Sequence, residues 1–276
     1  MASKIITTRD GSRSVFSNRF QQHYHNIAGA LTESRNVFFD NTGLSKALAE
    51  HRDITLVEVG FGTGLHVALL ECMRKRTGSR SQVHYYSVEK FPLEGDVVRR
   101  MDFGRICPGM DEVVGRIADA LFEARDGESV SVTITPDKPA VAEKGLPDVE
   151  NTAGTPFTRV EVFRSDFHDW DLSVLNRPAQ IILHDAFSPD TNPDLWTVAT
   201  FRKLLEAADP HAMLGTYCSA TRARAAMILG GWHIGRVQGP PGKREVSVAS
   251  PDAAMLSAFK RVNEELLMKR FREELS

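Results

Sequence analysis

Residues 54–65 read Ile-Thr-Leu-Val-Glu-Val-Gly-Phe-Gly-Thr-Gly-Leu, and this stretch decides the fold. Its first six residues are rich in β-branched side chains and predict a buried strand. The three glycines that follow predict a tight turn, and residues 65–76 predict a helix. A second strand is predicted over residues 83–88. Together these segments predict a strand–helix–strand unit, which is typical of a parallel sheet.

The rest of the chain predicts further elements on both sides of this unit. A hairpin is predicted over residues 5–16, with its turn at Asp10 and Gly11, and a short strand over residues 35–40. Residues 136–156 contain several prolines and glycines and predict a long surface loop. Further strands are predicted at 129–135, 160–163, 179–183, 213–217, 233–237 and 245–249, and helices at 111–125, 193–207, 221–229 and from 255 to 266.

These elements predict an α/β fold with a Rossmann-like, mostly parallel sheet, as in class I methyltransferases. The final hairpin supplies its one antiparallel strand. We expect residues 51–276 to form one structural unit and residues 1–50 to form a small β-rich extension packed on it. Asn192 is expected to cap the helix at 193–207, with Pro193 at its first position.

Composition excludes several classes of protein. The 276 residues carry a formal net charge of −2, so any polyanion has to bind through a local patch. The cysteines are far apart, which predicts neither a disulfide framework nor a zinc site, and we expect no metal: Cys72, Cys107, Cys218. The polar N-terminus and the lack of a long apolar run predict no signal peptide and no membrane span. A cytoplasmic protein is expected.

The glycine pattern indicates the type of cofactor. Gly60, Gly62 and Gly64 are spaced G-x-G-x-G and are preceded by an acid, Glu58. A dinucleotide site usually places its third glycine one residue later, so that a pyrophosphate reaches the helix N-terminus. S-adenosylmethionine has no phosphate and carries an ammonium group, which an acid beside the turn suits. The pattern therefore predicts an S-adenosylmethionine site.

Acidic residues end three of the predicted strands, at the sheet edge where ligands bind. Glu89 is placed to accept hydrogen bonds from both ribose hydroxyls. Asp166 is placed to accept one from the adenine amino group, although Asp169 and Asp171 lie close by and compete for this role. Asp185 follows an apolar strand and is expected near the transferred methyl group. There it can orient an incoming amine or remove its proton.

The chain also resembles the methyltransferase domain of the bacterial tRNA 5-methylaminomethyl-2-thiouridine biosynthesis enzymes, the MnmC-like family. The matching stretches are 10–12, 23–25, 29–30, 33–35, 58–65, 89–93, 185–189, 192–196, 216–218 and 239–245. The resemblance implies methylation of the aminomethyl nitrogen of 5-aminomethyl-2-thiouridine at the tRNA wobble position. It implies Asp185 as the catalytic carboxylate. The cofactor contacts it implies are Glu58, Gly60, Phe61, Gly62, Gly64, Glu89, Lys90, Asp166, Phe167 and Asp185.

The resemblance also implies partners. Some members carry a second, FAD-dependent oxidase domain, and this sequence ends without one. We therefore expect the stand-alone methyltransferase form, with a separate oxidase supplying the aminomethyl substrate. In the tRNA contact, basic side chains are expected to hold phosphates, and Trp196 is expected to stack on a base. The basic candidates are Arg35, Arg222, Arg224, Arg236, Lys243 and Arg244.

Three alternatives remain open. The first is a methyltransferase whose acceptor is a small-molecule amine. The net charge slightly favours this alternative, and the motif matches oppose it. The second is a nicotinamide oxidoreductase, which the glycine spacing opposes. The third is a non-catalytic RNA-binding protein with a relic cofactor site, which the intact acids oppose: Glu58, Glu89, Asp185.

Overall fold

A large mixed sheet and a small N-terminal sheet organise the protein. The computed structural model describes residues 4–135, 138–144 and 155–275. Within these ranges the small sheet has three antiparallel strands, β1 (Ile5–Thr7), β2 (Arg13–Ser17) and β3 (Gln22–His23). The large sheet has ten strands: β4 (Ile54–Val59), β5 (Gln82–Val88), β6 (Ser129–Thr135), β7 (Lys138–Lys144), β8 (Phe157–Phe163), β9 (Ala179–His184), β10 (Ala208–Thr216), β11 (His233–Gln238), β12 (Glu245–Ser250) and β13 (Lys260–Arg261).

Helices cover both faces of the large sheet. They are α1 (Ala30–Ser34), α2 (Leu44–Ala49), α3 (Leu65–Thr77), α4 (Gly95–Arg99), α5 (Met110–Glu123), α6 (Val198–Glu206), α7 (Thr221–Leu229) and α8 (Glu264–Leu275). In α5 the buried residues Val114, Ile117 and Leu121 recur at helical spacing, so one stripe of the helix faces the core. The predicted helices over residues 65–76, 111–125 and 221–229 are confirmed to within a few residues.

The order of the strands creates a crevice. The large sheet runs β13-β11-β12-β10-β9-β4-β5-β8-β6-β7, and β4, β5, β8, β9 and β10 are mutually parallel. The chain passes from β4 outward through β5 to the edge strands β6 and β7 and comes back as β8, and then it crosses to the other side of β4 as β9. The order therefore reverses between β4 and β9, and ligands of open α/β sheets bind at the carboxyl ends of strands beside such a reversal.

Alternating side chains of β4 feed two separate cores. Leu56 belongs to the core beneath α2, α3 and α5, whereas Val57 and Val59 belong to the core beneath α6 and α7. All six residues of β4 are buried because the strand lies between β5 and β9 with helices on both faces. This rigid centre fixes the start of the glycine turn.

The predicted fold class is confirmed, but the number of antiparallel strands differs from the prediction. Within the described ranges three strands run opposite to the central five, whereas one was expected. β6 pairs antiparallel with β8, and β12 pairs antiparallel with β10. β11 is antiparallel to β12 and β13 is antiparallel to β11, so β13 is the third. Part of the loop predicted at 136–156 is also wrong. Residues 138–144 pair with β6, because that strand otherwise leaves its edge unpaired. Residues 145–154 lie outside the described residues.

The strand predicted at residues 35–40 is wrong, because these residues form a π-helical turn. The Asn41 N–H donates to the Asn36 carbonyl, five residues back. Val37, Phe38 and Phe39 are all buried, which a turn of helix allows and an alternating edge strand does not.

Two predicted helices begin later than expected. In the first, Pro193–Trp196 forms a 3₁₀ turn without a cap from Asn192, and α6 starts after Thr197, whose hydroxyl accepts from the Thr200 N–H at 3.2 Å. In the second, Ala253–Leu256 is a 3₁₀ turn and β13 follows it. The C-terminal helix therefore starts only at residue 264.

Candidate active site

A cavity of about 580 Å³ lies at the carboxyl ends of β4, β5, β8 and β9. The loops that follow these four strands supply one part of its wall. Residues 19–27 of the N-terminal extension supply another part. The cavity occupies the crevice that the strand order predicts, and its size is that of an ordinary small-molecule site.

The glycine turn forms the floor of the cavity at β4. Gly60, Phe61 and Gly62 line it. Gly60 has φ +93°, and a Cβ there would lie 3.2 Å from the carbonyl oxygen of Asp185. Gly64 has a packing role, because a Cβ on it would overlap Val114 of α5, and it does not line the cavity. The turn thus brings bare backbone to a ligand and packs α3 closely on α5.

Glu89 lines the cavity directly after β5. Its carboxylate accepts hydrogen bonds from the Gly62 N–H at 2.9 Å and the Phe91 N–H at 2.8 Å. Burial raises the pKa of Glu89, and these two N–H groups offset only part of the effect. Each carboxylate oxygen keeps a further lone pair, which suits ribose hydroxyls as hydrogen-bond donors.

Asp166, Phe167 and Lys90 line the same side of the cavity. The Lys90 ammonium lies 2.5 Å from the Asp166 carboxylate, which also accepts from the His168 N–H at 2.9 Å. These bonds lower the pKa of Asp166, although burial by itself raises it. The competing acids Asp169 and Asp171 are exposed and do not line the cavity within the described residues.

Asp185 lies across the glycine turn from this group. Its N–H donates to the Val59 carbonyl at 3.1 Å, which fixes the loop after β9 to the end of β4. Its side chain lines the cavity and is 18% exposed. Burial raises the pKa of Asp185 to about 8, with Glu33 adding to the rise and His66 opposing it. The carboxyl is therefore poised near neutral pH, which suits a general base.

Glu58 and His66 form a buried pair behind Asp185. Glu58 is 1% exposed and accepts hydrogen bonds from His66 Nδ1 and the Ser87 hydroxyl, each at 2.7 Å. His66 Nε2 lies 3.1 Å from Ser34 Oγ and 3.9 Å from Asp185 Oδ2. The expected contact from Glu58 to the cofactor does not fit, because Glu58 does not line the cavity and both its oxygens are engaged.

His66 is a site residue that the sequence reasoning missed. Burial alone lowers its pKa, but the hydrogen bond and charge of Glu58, together with Asp185 and Glu33, raise it overall. The His66 ring faces the Asp185 carboxylate, with Nε2 3.9 Å from Asp185 Oδ2. The available signal was a single ionisable residue within the otherwise apolar first turns of α3, Leu-His-Val-Ala-Leu-Leu.

Glu33, Lys243 and Tyr217 complete the wall beside Asp185. Lys243 Nζ lies 2.7 Å from Glu33 Oε1 and 3.9 Å from the centroid of the Tyr217 ring. The Tyr217 hydroxyl donates to the Ala186 carbonyl at 2.7 Å. Glu33 and Lys243 thus form an ion pair beside Asp185, with the Tyr217 ring against the lysine.

Comparisons with known proteins show what the chain is similar to. Residues 156–252 match the model of a family described as S-adenosyl-L-methionine-dependent methyltransferase. The tRNA 5-methylaminomethyl-2-thiouridine biosynthesis bifunctional protein MnmC of Burkholderia multivorans is 31% identical over 226 residues, which are 82% of this chain and 31% of that protein. The protein with the same description in Cupriavidus metallidurans is 28% identical over 88% of this chain and 33% of its own length.

The chain is similar to the MnmC proteins over most of its own length. It spans about a third of the length of these curated relatives. A solved structure of MNMC2 from Aquifex aeolicus covers 98% of this chain and 76% of its own, with a TM-score of 0.65 and 21% identity, and supports the fold. The cofactor of this methyltransferase is S-adenosyl-L-methionine. The cavity fits it, because Glu89 and Asp166 present acceptors beside a glycine backbone.

Two of the residues expected to contact RNA are buried in the methyltransferase. Trp196 is 5% exposed, donates its indole N–H to the Phe187 carbonyl at 2.8 Å and packs on His184 with ring centroids 4.5 Å apart. The expected stacking of Trp196 on a base is therefore wrong. Arg224 is also buried and donates to the Ser247 hydroxyl at 2.9 Å, so it has a structural role.

The remaining basic candidates lie at different places. Arg35, Arg222 and Arg244 are exposed, and neither they nor Arg236 line the cavity within the described residues. Arg35 lies 3.6 Å from the Asp40 carboxylate, Arg222 lies 3.7 Å from Glu274, and Arg236 lies 3.4 Å from Glu245. Lys243 is the one member of the predicted set that the fold brings to the cavity.

Residues 4–135, 138–144 and 155–275 contain no group of three or more His, Cys, Asp or Glu residues arranged to hold a metal ion. No helix in these ranges is both long enough and apolar enough to cross a membrane.

Proposed function

We propose that this methyltransferase transfers a methyl group to the aminomethyl nitrogen of 5-aminomethyl-2-thiouridine at the wobble position of tRNA. The names of its relatives support the substrate class. The observation that carries the proposal is Asp185, which faces the cavity across the glycine turn from Glu89 with a pKa raised by burial to about 8. We also propose that residues 1–50 form an extension packed on a unit of residues 51–276, and that the protein is cytoplasmic. A separate FAD-dependent oxidase is proposed to supply the aminomethyl substrate.

The chemistry of an amine acceptor fits this side of the cavity. A protonated amine has no lone pair, so it must lose a proton before it attacks carbon. Asp185 Oδ accepts that proton, and a base whose pKa lies near neutral does so with a smaller free-energy cost than an ordinary carboxylate. Glu33 lies beside it in an ion pair with Lys243. His66 opposes the rise that burial causes in the pKa of Asp185.

The other side of the cavity holds the cofactor, which supplies an activated sulfonium methyl group when bound. We assign the ribose hydroxyls to Glu89 and the adenine amino group to Asp166. Phe61 and Phe167 supply apolar contacts. Backbone at Gly60 and Gly62 allows close approach. Holding the amine in line with the methyl group supplies much of the acceleration, because it converts a bimolecular step into one within the complex.

Transfer of methyl groups to tRNA tests the proposal directly. The protein is incubated with labelled S-adenosylmethionine and tRNA from a strain that lacks the methylated nucleoside, and the nucleosides are analysed by mass spectrometry. The expected product is 5-methylaminomethyl-2-thiouridine. Asp185→Asn should retain affinity for S-adenosylhomocysteine and lose turnover. Asp96→Asn is the matched control, because Asp96 is exposed and does not line the cavity. Normal turnover by Asp185→Asn would remove the role of Asp185.

A second candidate function is methylation of a small-molecule amine. The pairing of most predicted RNA-binding residues with carboxylates favours it, as does the net charge of −2. The same assay separates the two, because a small-molecule methyltransferase leaves the tRNA unlabelled and labels free amines instead.

A further inference from the structure

Residues 19–25 cross the mouth of the cavity as a strap. Phe20 places its ring centroid 4.5 Å from that of Phe187 and 5.8 Å from that of Phe91. Arg19 lies over the Phe91 ring, 4.0 Å from its centroid. The strap therefore spans from the loop after β5 to the loop after β9, and its contact with the latter falls two residues after Asp185.

Polar contacts hold the strap in place. Gln22 Nε2 donates to the Ser188 hydroxyl at 2.7 Å, and His25 Nε2 lies 2.7 Å from Thr63 Oγ1 in the glycine turn. Burial lowers the pKa of His25 to about 3, so this ring is neutral and the contact persists across the working pH range. The aromatic side chains of the strap are thus presented on a fixed backbone.

The aromatic rings of this region are only partly covered. Phe20, Phe91 and Phe187 line the cavity and keep intermediate exposure, whereas Trp196 is buried. The core of a protein of this size is large enough to bury such rings. Exposed apolar faces beside a cavity commonly mark a surface that binds a ligand. Flat aromatic faces suit the flat face of a nucleobase.

Arg19 adds the matching charge. It is exposed, and no ion pair to a carboxylate is found for it within the described part of the chain. Arg35 and Arg222 differ, because each lies near a carboxylate. A guanidinium held over a ring at a cavity mouth is suited to bind a phosphate next to a stacked base.

We propose that Arg19, Phe20 and Phe187 form the acceptor subsite, in which Phe20 stacks on the pyrimidine, Phe187 packs behind the Phe20 ring, and the guanidinium binds an adjacent phosphate. Phe187 lies two residues after Asp185, so a base stacked on this ring pair can present its aminomethyl group to that carboxylate. The N-terminal extension is then the element that selects the acceptor. This inference rests on the proposed function, because it assigns the site of its substrate.

Kinetics with tRNA test the subsite. Loss of one stacking face in Phe20→Ala should raise KM for tRNA by roughly 5- to 150-fold, with unchanged affinity for S-adenosylhomocysteine by calorimetry. Phe20→Leu keeps apolar bulk and should show most of the same loss, whereas Phe20→Tyr should restore KM. Arg19→Ala should reduce the salt dependence of binding by about one phosphate contact. The matched control is Phe122→Ala, since Phe122 on α5 is 48% exposed and lies away from the cavity.

The outcomes separate the two proposals. If the unaltered protein methylates no tRNA, the proposed function fails. If it methylates tRNA and Phe20→Ala and Phe20→Leu leave KM unchanged, the subsite is wrong and the function stands. If the Phe20 variants lose affinity for S-adenosylhomocysteine in proportion to their activity, the ring belongs to the cofactor side and the subsite is again overturned.

Discussion

Replacing His66 by glutamine should move the pH profile of methyl transfer to higher pH. His66 Nε2 lies 3.9 Å from Asp185 Oδ2, and Glu58 holds its other ring nitrogen at 2.7 Å. The positive charge on His66 opposes the rise that burial causes in the pKa of Asp185. Glutamine keeps a hydrogen-bonding amide at this place but carries no charge. The pKa of Asp185 should therefore rise above its present value of about 8.

The size of the shift follows from the separation of the charges. At an effective dielectric constant of about 20, two unit charges about 4 Å apart interact by about 4 kcal/mol. This energy corresponds to about three pKa units and is taken as an upper limit. In the proposed mechanism ionised Asp185 is the active form, so activity should be lost as pH falls through its pKa. A shift of one to three units lowers kcat/KM at about pH 7.5 by roughly 10- to 1000-fold.

The assay is the pH dependence of kcat/KM for tRNA, measured from about pH 6 to pH 10. The charged groups that surround Asp185 are His66, Glu33, Glu58 and Lys243. The double variant His66→Gln, Glu58→Gln removes both members of the buried pair and avoids an unpaired carboxylate, so it checks that folding is not the cause. His211→Gln is the control, because His211 pairs with Asp252 at the surface. An unchanged acid limb in folded His66→Gln would refute the reasoning.

Three further substitutions have defined outcomes. Gly64→Ala puts a Cβ against Val114 at φ +77°, so urea unfolding should show a loss of about 2–4 kcal/mol in unfolding free energy; an unchanged midpoint would contradict the packing role. Glu89→Gln should lower the affinity for S-adenosylhomocysteine by about tenfold or more in calorimetry, and an unchanged affinity would contradict the ribose contact assigned to Glu89. Trp196→Phe loses the bond to the Phe187 carbonyl and should cost about 1 kcal/mol in the same unfolding assay, whereas full stability would show that the bond contributes nothing.

Much of the framework is readable from the sequence because its causes are local. β4 is a run of β-branched residues followed by glycines, and both the strand and the turn follow from that order alone. Glu89, Asp166 and Asp185 each end a strand, and the carboxyl ends of parallel strands meet at one edge, so their convergence on one cavity could be predicted. The chemistry expected of that edge likewise follows from residue types and spacing.

The tertiary structure decided which side chains face the cavity. Phe20 meets Phe187, and His66 meets Glu58 and Ser34, only because distant segments pack together. Trp196 is buried and cannot make the RNA contact expected of it. Residues 35–40 form a helical turn in the packed structure, although their side chains favour a strand. Sequence by itself determined the strand, the turn and the acids at strand ends, since these depend on neighbours along the chain. Exposure, charge pairing and the aromatic strap depend on neighbours in space, and only the folded chain fixes those.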